Sequence, residues 1–270
     1  MFLRILLPVV IACPLLAQGV KIQFEPVDEA VVKTRLGRNP ATNGERAATL
    51  HKMFEEAGCT GAMLADQAVD GARQPNVVCT ISGGNGSTIV VGAHIDFAED
   101  GRGMVENWTG ASLLPSLFEA LHQTPRKHKF VFVGFTDREK GRRGSIFYLK
   151  SLGAEKSQIK AVIDVEGLGV GQTKVQMENS DKGLSQKMAS IAKSLGIPVA
   201  GSDTNIVGDS DGKTFTGAKI PVLSVHSLSG NAMRIPGTAN DNSTAVQEKD
   251  YYESYRLISA YLAYLDESLN

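Results

Sequence analysis

The chain has 270 residues, 42% of them hydrophobic, enough apolar material for one sizeable core and too little for two comfortable domains. Its 28 Lys and Arg stand against 29 Asp and Glu with no block of like charge, which argues against nucleic acid or an acidic membrane surface as a partner. No segment offers about 18 uninterrupted apolar residues, so no transmembrane segment is expected.

Met1-Phe2-Leu3-Arg4, the apolar run Ile5 to Leu16 and the small-residue stretch Ala17-Gln18-Gly19 follow the charged, hydrophobic and cleavage-site order of a secretory signal. Residues 1–19 are therefore read as a signal peptide and 20–270 as one domain exported to the periplasm or the exterior. A second reading takes Val10-Ile11-Ala12-Cys13 as a lipoprotein box, with the mature chain anchored through Cys13. Once such a segment leaves, Cys59 and Cys79 remain, an even pair in a compartment that permits disulfides. A disulfide between them and two small buried apolar side chains are both open.

Apolar positions at helical spacing from Asn39 to Ala57, stopped by Gly58, predict a first helix. The strand-like runs Val77 to Ile81 and Thr88 to Ala93 flank Gly83-Gly84-Asn85-Gly86, which predicts a hairpin. A helix from Gly110 to His122 then leads into the strands Lys129 to Phe135 and Ile159 to Val165. Helices over Leu184 to Leu195 and Tyr251 to Leu265 enclose the strand Pro221 to Val225. Strands alternating with helices of this length predict a mostly parallel sheet covered on both faces, a three-layer α/β/α sandwich.

Polar groups cluster where those strands end. His94-Ile95-Asp96 follow Val91, Asp137-Arg138-Glu139 follow Phe135, Asp164 follows Ile163 and His226 follows Val225. Ligands of open α/β sheets bind beyond the carboxyl ends of the strands, and acids gathered there without a counter-charge repel one another and lose hydration. A cation is expected, and imidazole with carboxylates suits zinc, with Asp96 orienting His94.

The segments Val90 to Asp96, Glu106 to Ser112, Phe135 to Ser145 and Ala161 to Gly169 together closely resemble metallopeptidase family 28, the bacterial leucyl-aminopeptidase type, whose relatives include glutaminyl cyclases. The resemblance runs from about Pro75 to the C-terminus. It implies the zinc-exopeptidase (phosphorylase/hydrolase-like) fold and a pair of zinc ions, with a glutamate as general base. Carried over position by position, it implies His94, Glu139 and Asp164 as metal ligands and Asp96 as the partner orienting His94.

Three positions depart from the family pattern. Glu106 stands where an aspartate bridges both metals, and its extra methylene moves the carboxylate by about 1.5 Å. Arg138 stands at the general-base position, where a guanidinium cannot accept a proton from water. Gly237, opening Gly237-Thr238-Ala239-Asn240-Asp241, stands where the final histidine ligand belongs, and His226 matches a histidine of the family that is not a ligand. With these changes, one zinc at most is expected, held by His94, Glu106 and Asp164 with Glu139 nearby, or none. An inward Arg138 about 4 Å from a divalent ion would oppose it by roughly 8 kcal/mol at an effective dielectric of 20 and would neutralise Glu106, Glu139 and Asp164 in its place. An outward one would join Arg142 and Arg143 at the surface. Two functions remain open: a pseudopeptidase that keeps a cleft for a peptide or protein partner, and an exopeptidase that cleaves N-terminal peptide bonds with one metal.

Overall fold

The computed structural model describes residues 21–98, 101–203 and 210–269. The segment read as a signal, and Cys13 with it, lies outside the described residues. Eight strands form one sheet: β1 (Leu64–Gln67), β2 (Asn76–Ile81), β3 (Thr88–His94), β4 (Lys129–Phe135), β5 (Ile159–Val165), β6 (Lys174–Gln176), β7 (Ala200–Ser202) and β8 (Val222–His226), in the order β1-β2-β4-β3-β5-β8-β6-β7. The central strands β4, β3, β5 and β8 run parallel, while β2 joins β4, β1 joins β2 and β6 joins β8 antiparallel.

Among the described residues, seven α-helices accompany the sheet: α1 (Glu29–Leu36), α2 (Asn43–Glu56), α3 (Thr109–His122), α4 (Arg143–Ser151), α5 (Lys182–Leu195), α6 (Gly212–Gly217) and α7 (Glu248–Ser268). Alternate residues of a strand face opposite sides, and β3 divides its run accordingly. Ile89, Val91 and Ala93 join the larger core with α2, α3, α5 and α7, whereas Val90 joins Phe135, Tyr148 of α4 and Phe215 of α6 on the other face. Each large side chain fully withdrawn from water, such as Phe54, Phe118 or Leu50, contributes roughly 1.5–3 kcal/mol.

Two sequence expectations are corrected. The runs around Gly83 to Gly86 do not make a hairpin, because β4 lies between β2 and β3. The turn instead passes over the entry of β4: Gly84 and Asn85 donate their N–H groups to Arg126 and Lys127 carbonyls, and a Cβ on Gly83 would stand 2.1 Å from the His128 backbone. Only glycine admits that approach. The first long helix starts at Asn43 rather than Asn39, since Thr42 is extended (φ −128°, ψ 150°) and its hydroxyl caps the Glu45 N–H. Short elements that carry little periodic signal, α1, α4, α6, β1, β6 and β7, escaped the sequence pattern.

Cys59 and Cys79 form a disulfide across a sequence separation of 20 residues, which ties the chain just after α2 to β2. Closing a loop of that length is worth roughly 3 kcal/mol in a chain-entropy account. No helix among the described residues is long and apolar enough to cross a membrane.

At the sheet end where β3 and β4 begin, the buried Asp266 carboxylate of α7 accepts the His128 N–H at 2.9 Å and stands 3.7 Å from Arg126 Nη1. Burial acts to raise its pKa, but hydrogen bonds from His128 and Lys127 with the charge of Arg126 outweigh burial and hold it below the ordinary carboxylate value. Such a group stabilises the fold above its unfolded pKa near 3.9, and that contribution disappears as pH falls through the lower folded value. Asp266→Asn is expected to cost about 2 kcal/mol at pH 7. In urea unfolding at pH 7, 4 and 3 the gap to wild type should narrow at each step, and a gap independent of pH would contradict this account.

Candidate metal centre

The site forms where the parallel strands end. His94 is the last residue of β3 and its ring is fully buried. Its Nδ1 lies 2.8 Å from the main-chain oxygen of Asp96, which can only accept, so Nδ1 carries hydrogen. That fixes Nε2 toward the interior, 3.2 Å from Glu106 Oε1 and 3.3 Å from Glu166 Oε2. Asp96 thus orients His94 chiefly through its carbonyl, with its carboxylate 3.7 Å from Nδ1. The carboxylate instead accepts the main-chain N–H groups of Arg138 and Glu139 at 3.0 Å each. Asp137, at φ 51°, turns the chain after β4, so that both N–H groups face Asp96.

Glu106 projects from the turn Met104–Trp108 between β3 and α3. The turn is fixed from two sides. Val105 N–H reaches Asp241 Oδ1 at 2.6 Å. The Asn107 amide donates to Val165 O at 2.7 Å, and its oxygen accepts Gly167 N–H at 3.0 Å and Gly110 N–H at 3.1 Å. Asn107 thereby locks Glu106 against the end of β5, where Glu166 emerges. His94, Glu106 and Glu166 each offer one donor atom, all within 4.8 Å of one another.

Of the four residues expected to hold metal, the structure gathers His94 and Glu106 in this cluster and adds Glu166, which the sequence reading did not select. Asp164, the expected ligand, points its carboxylate to Gly212 N–H at 3.0 Å and to the Ser224 hydroxyl at 3.4 Å. Asp164 lies within β5 and Glu166 just beyond its last residue, Val165, and only the one farther along reaches His94. A second acid at that spacing, immediately before Gly167, was the available signal. Glu139, its side chain 30% exposed, pairs with Arg138 Nη1 at 2.5 Å and stands outside the cluster.

Arg138 points inward. Its side chain is 14% exposed, and Nη2 lies 3.3 Å from Glu106 Oε1. Burial acts against its charge, yet the carboxylates of Glu166, Glu106 and Glu139 hold its pKa above the ordinary arginine value. The same balance governs the cluster. Burial opposes a charged His94, but Glu166 and the hydrogen bonds of Asp96 and Glu106 raise its pKa well above the free value. Burial lifts Glu166 to about 8, while His94 and Arg138 overcome burial to keep Glu106 below its usual value.

Whether these residues suit a cation is answered by their unused atoms. Glu106 Oε2 and Glu166 Oε1 are buried without a hydrogen-bond partner among the described residues, and Glu166 Oε2 has only the 3.3 Å approach to His94 Nε2, although buried polar atoms are nearly always satisfied. One imidazole nitrogen and two carboxylates, converging and under-satisfied, form a donor set that fits one zinc-type ion. The second position is different. Gly237 (φ 70°) offers no side chain, and an added Cβ would meet nothing within 4 Å. His226 is buried with neither ring nitrogen hydrogen-bonded among the described residues, its pKa pushed down to about 4 by burial, and it lies outside the donor cluster. A cleft of about 270 Å³ opens above, walled by Phe97, Leu228 and Gly237 and floored by Glu106, Arg138 and Glu139.

Comparisons with known proteins agree with this architecture. The model of peptidase family M28 matches residues 76–262. A search of curated proteins finds no match. Among solved structures, the LapA aminopeptidase of Legionella pneumophila superposes with a TM-score of 0.77 at 19% identity, over 89% of this chain and 71% of that one. A zinc aminopeptidase from Bacillus subtilis superposes with a TM-score of 0.66 at 17% identity, over 72% of this chain and 51% of its own. The glutaminyl cyclase of Fimbriiglobus ruber reaches 0.69 at 14% identity, over 92% of this chain and 99% of its own. At these identities the likeness is one of fold.

If the guanidinium neutralises the cleft floor, removing it leaves buried carboxylates uncompensated. Arg138→Met is expected to destabilise the protein by about 3 kcal/mol, and zinc in excess should recover more melting temperature in the variant than in wild type. Differential scanning fluorimetry with and without zinc reads both. A variant as stable as wild type in the presence of chelator would show that Arg138 carries no such charge balance.

Proposed function

This chain belongs to peptidase family M28, and on that premise we propose that it is an exported, catalytically impaired peptidase homologue whose cleft binds a peptide or a protein segment beside a single zinc ion. The observation that carries the reading is Arg138 drawn into the cleft floor against Glu106 and Glu139. A guanidinium there cannot take a proton from water, so the contribution of a general base, typically about 10² to 10⁴ in rate, is missing at that place. It also sets a fixed positive charge on the side of the cleft where Glu139 and Gly237 stand, which opposes a second divalent ion. His94, Glu106 and Glu166 would hold the remaining ion, with Asp96 fixing the His94 ring through its carbonyl. Zinc held there would supply Lewis acidity toward a carbonyl or a water molecule. Export is supported by the secretory pattern of residues 1–19 and by the Cys59–Cys79 disulfide, which suits an oxidising compartment.

A second reading has its own support. The under-satisfied oxygens of Glu106 and Glu166 suit a zinc ion with an open coordination position, the arrangement of catalytic rather than structural sites. On that reading the chain is a one-metal exopeptidase acting on peptide N-termini.

Rates with aminoacyl chromogenic substrates separate the two, measured with added zinc near neutral pH beside an active member of the family. The expected result is no hydrolysis above background for wild type and none for Arg138→Glu, because base, bridge and final ligand act as a unit. Glu106→Asp, Arg138→Glu and Gly237→His combined restore the bridge, base and final ligand that the family resemblance assigns to those three positions. Chelator-sensitive turnover by wild type near the rate of the active relative would sink the impaired-enzyme reading and leave the exopeptidase.

A further inference from the structure

Arg46 lies on α2, remote in sequence from every site residue, and its side chain is fully buried. A buried guanidinium needs many acceptors, and here they come from three places in the chain. Nη1 donates to Ile95 O at 3.1 Å, while Nη2 donates to Arg102 O and Gly103 O at 2.8 Å each and to Asn39 Oδ1 at 2.7 Å. The guanidinium carbon also lies 4.2 Å from the centre of the Phe97 ring and 5.2 Å from that of Trp108. Ile95 directly follows His94. Gly103 (φ 54°) opens the turn that presents Glu106, and its Cα leaves no room for a side chain, since a Cβ would stand 2.2 Å from Phe97 Cβ.

One planar cation thus grips the backbone just after His94 and just before Glu106 and stacks on the aromatic wall of the cleft. We propose that Arg46 is a positioning residue that sets the approach of Glu106 to His94 and holds Phe97 as the cleft wall, an inference resting on the one-cation reading above. The 3.2 Å between His94 Nε2 and Glu106 Oε1 is a separation across a connection of a dozen residues, and neither flank reaches the other through the sheet ladder. Asp241 also holds the turn, accepting the Val105 N–H, so Arg46 and Asp241 fix it together. Burial brings the Arg46 pKa down to about 9, with Asp241 and Asp96 opposing the fall, and the group remains charged at neutral pH. Lysine cannot replace it, because a single ammonium has no planar fork with which to serve carbonyls at both ends and a ring face together.

Removing a buried, hydrogen-bonded arginine is expected to destabilise any fold, so the test needs a readout that general stability does not move. Trp108 is the sole tryptophan and lies under the guanidinium. Full-length Arg46→Met and Arg46→Lys are compared with wild type and with Arg35→Met, a control that removes another buried arginine, bonded to Ser116 and Glu119. The measurements are melting temperature, acrylamide quenching of Trp108, amide exchange over residues 103–108, zinc affinity by competition with a chelating dye, and the visible spectrum of the cobalt-substituted protein. For Arg46→Met the expected results are a more accessible Trp108, faster exchange and zinc affinity lower by about 10- to 100-fold, as for partners that orient metal ligands, with an altered cobalt spectrum. Arg46→Lys should recover melting temperature more than zinc affinity. Arg35→Met should lose melting temperature while keeping affinity and spectrum.

Folded Arg46→Met with Trp108 shielded and zinc bound as in wild type would overturn the proposal. So would an equal loss of affinity in Arg35→Met at matched melting temperature. Wild type that holds no zinc at all would defeat the one-cation reading alone, with quenching and exchange still deciding whether Arg46 grips both ends. Should Arg46→Met yield no folded protein, Asn39→Ala and Phe97→Leu loosen the same guanidinium from outside and are read by the same criteria.

Discussion

Carboxylates withdrawn from water beside one imidazole demand positive charge, and the end of the sheet is organised around that demand. Glu106 and Glu166 are buried within reach of His94 Nε2, in surroundings where an uncompensated ion costs several kcal/mol. Two positive groups compensate them: His94 is kept prone to protonation by the acids it faces, and Arg138 lies across Glu106 and Glu139. Glu106 Oε2 and Glu166 Oε1 are left without a partner among the described residues. The backbone supports each part: Asp96 fixes the imidazole through its carbonyl and the 138–139 turn through its carboxylate, and Asn107 binds the Glu106 turn to the end of β5.

Donors and positive charge are distributed unevenly here. The part built on His94 gathers an imidazole and two carboxylates. On the side of Gly237, which offers no side chain, the guanidinium of Arg138 is the charge that faces Glu106 and Glu139. A guanidinium differs from a metal ion in offering only donors. It balances the charge of the carboxylates without offering a coordination position of its own.

Much of this was legible before any coordinates. His94, Arg138 and Glu139 each follow an apolar run whose end marks the rim of a parallel sheet, whereas Glu106 was singled out only by the family resemblance; the central strands stood out because burial on both faces makes them continuously apolar. Glu166 was not legible for a geometric reason. Asp164 sits inside the apolar run and draws the eye, yet its carboxylate is claimed by Gly212 and Ser224, partners more than 45 residues away that no local pattern announces. The hairpin expectation failed similarly: turn residues report that the chain reverses, not which strand inserts between the arms. The inward placement of Arg138 depends on the conformation of Asp137, and a positive φ at a residue other than glycine leaves little trace in a sequence.

The two ends of the sheet are not equivalent. At the end where β3 and β4 begin, Asp266 near the last turn of α7 grips Arg126, Lys127 and His128, so the C-terminal helix is stitched directly to the entry of a central strand. At the opposite end, among the described residues, connecting segments carry the cleft, and Arg46 of α2 holds their backbone at Ile95 and Gly103. The stitch and the cleft thus lie at separate poles, which predisposes the scaffold to diversification: segments around the cleft can change in length or composition while the stitched pole keeps the sheet registered. A binding specificity could be rewritten on such a framework by exchanging rim segments alone, the way one recuts a key without altering its bow.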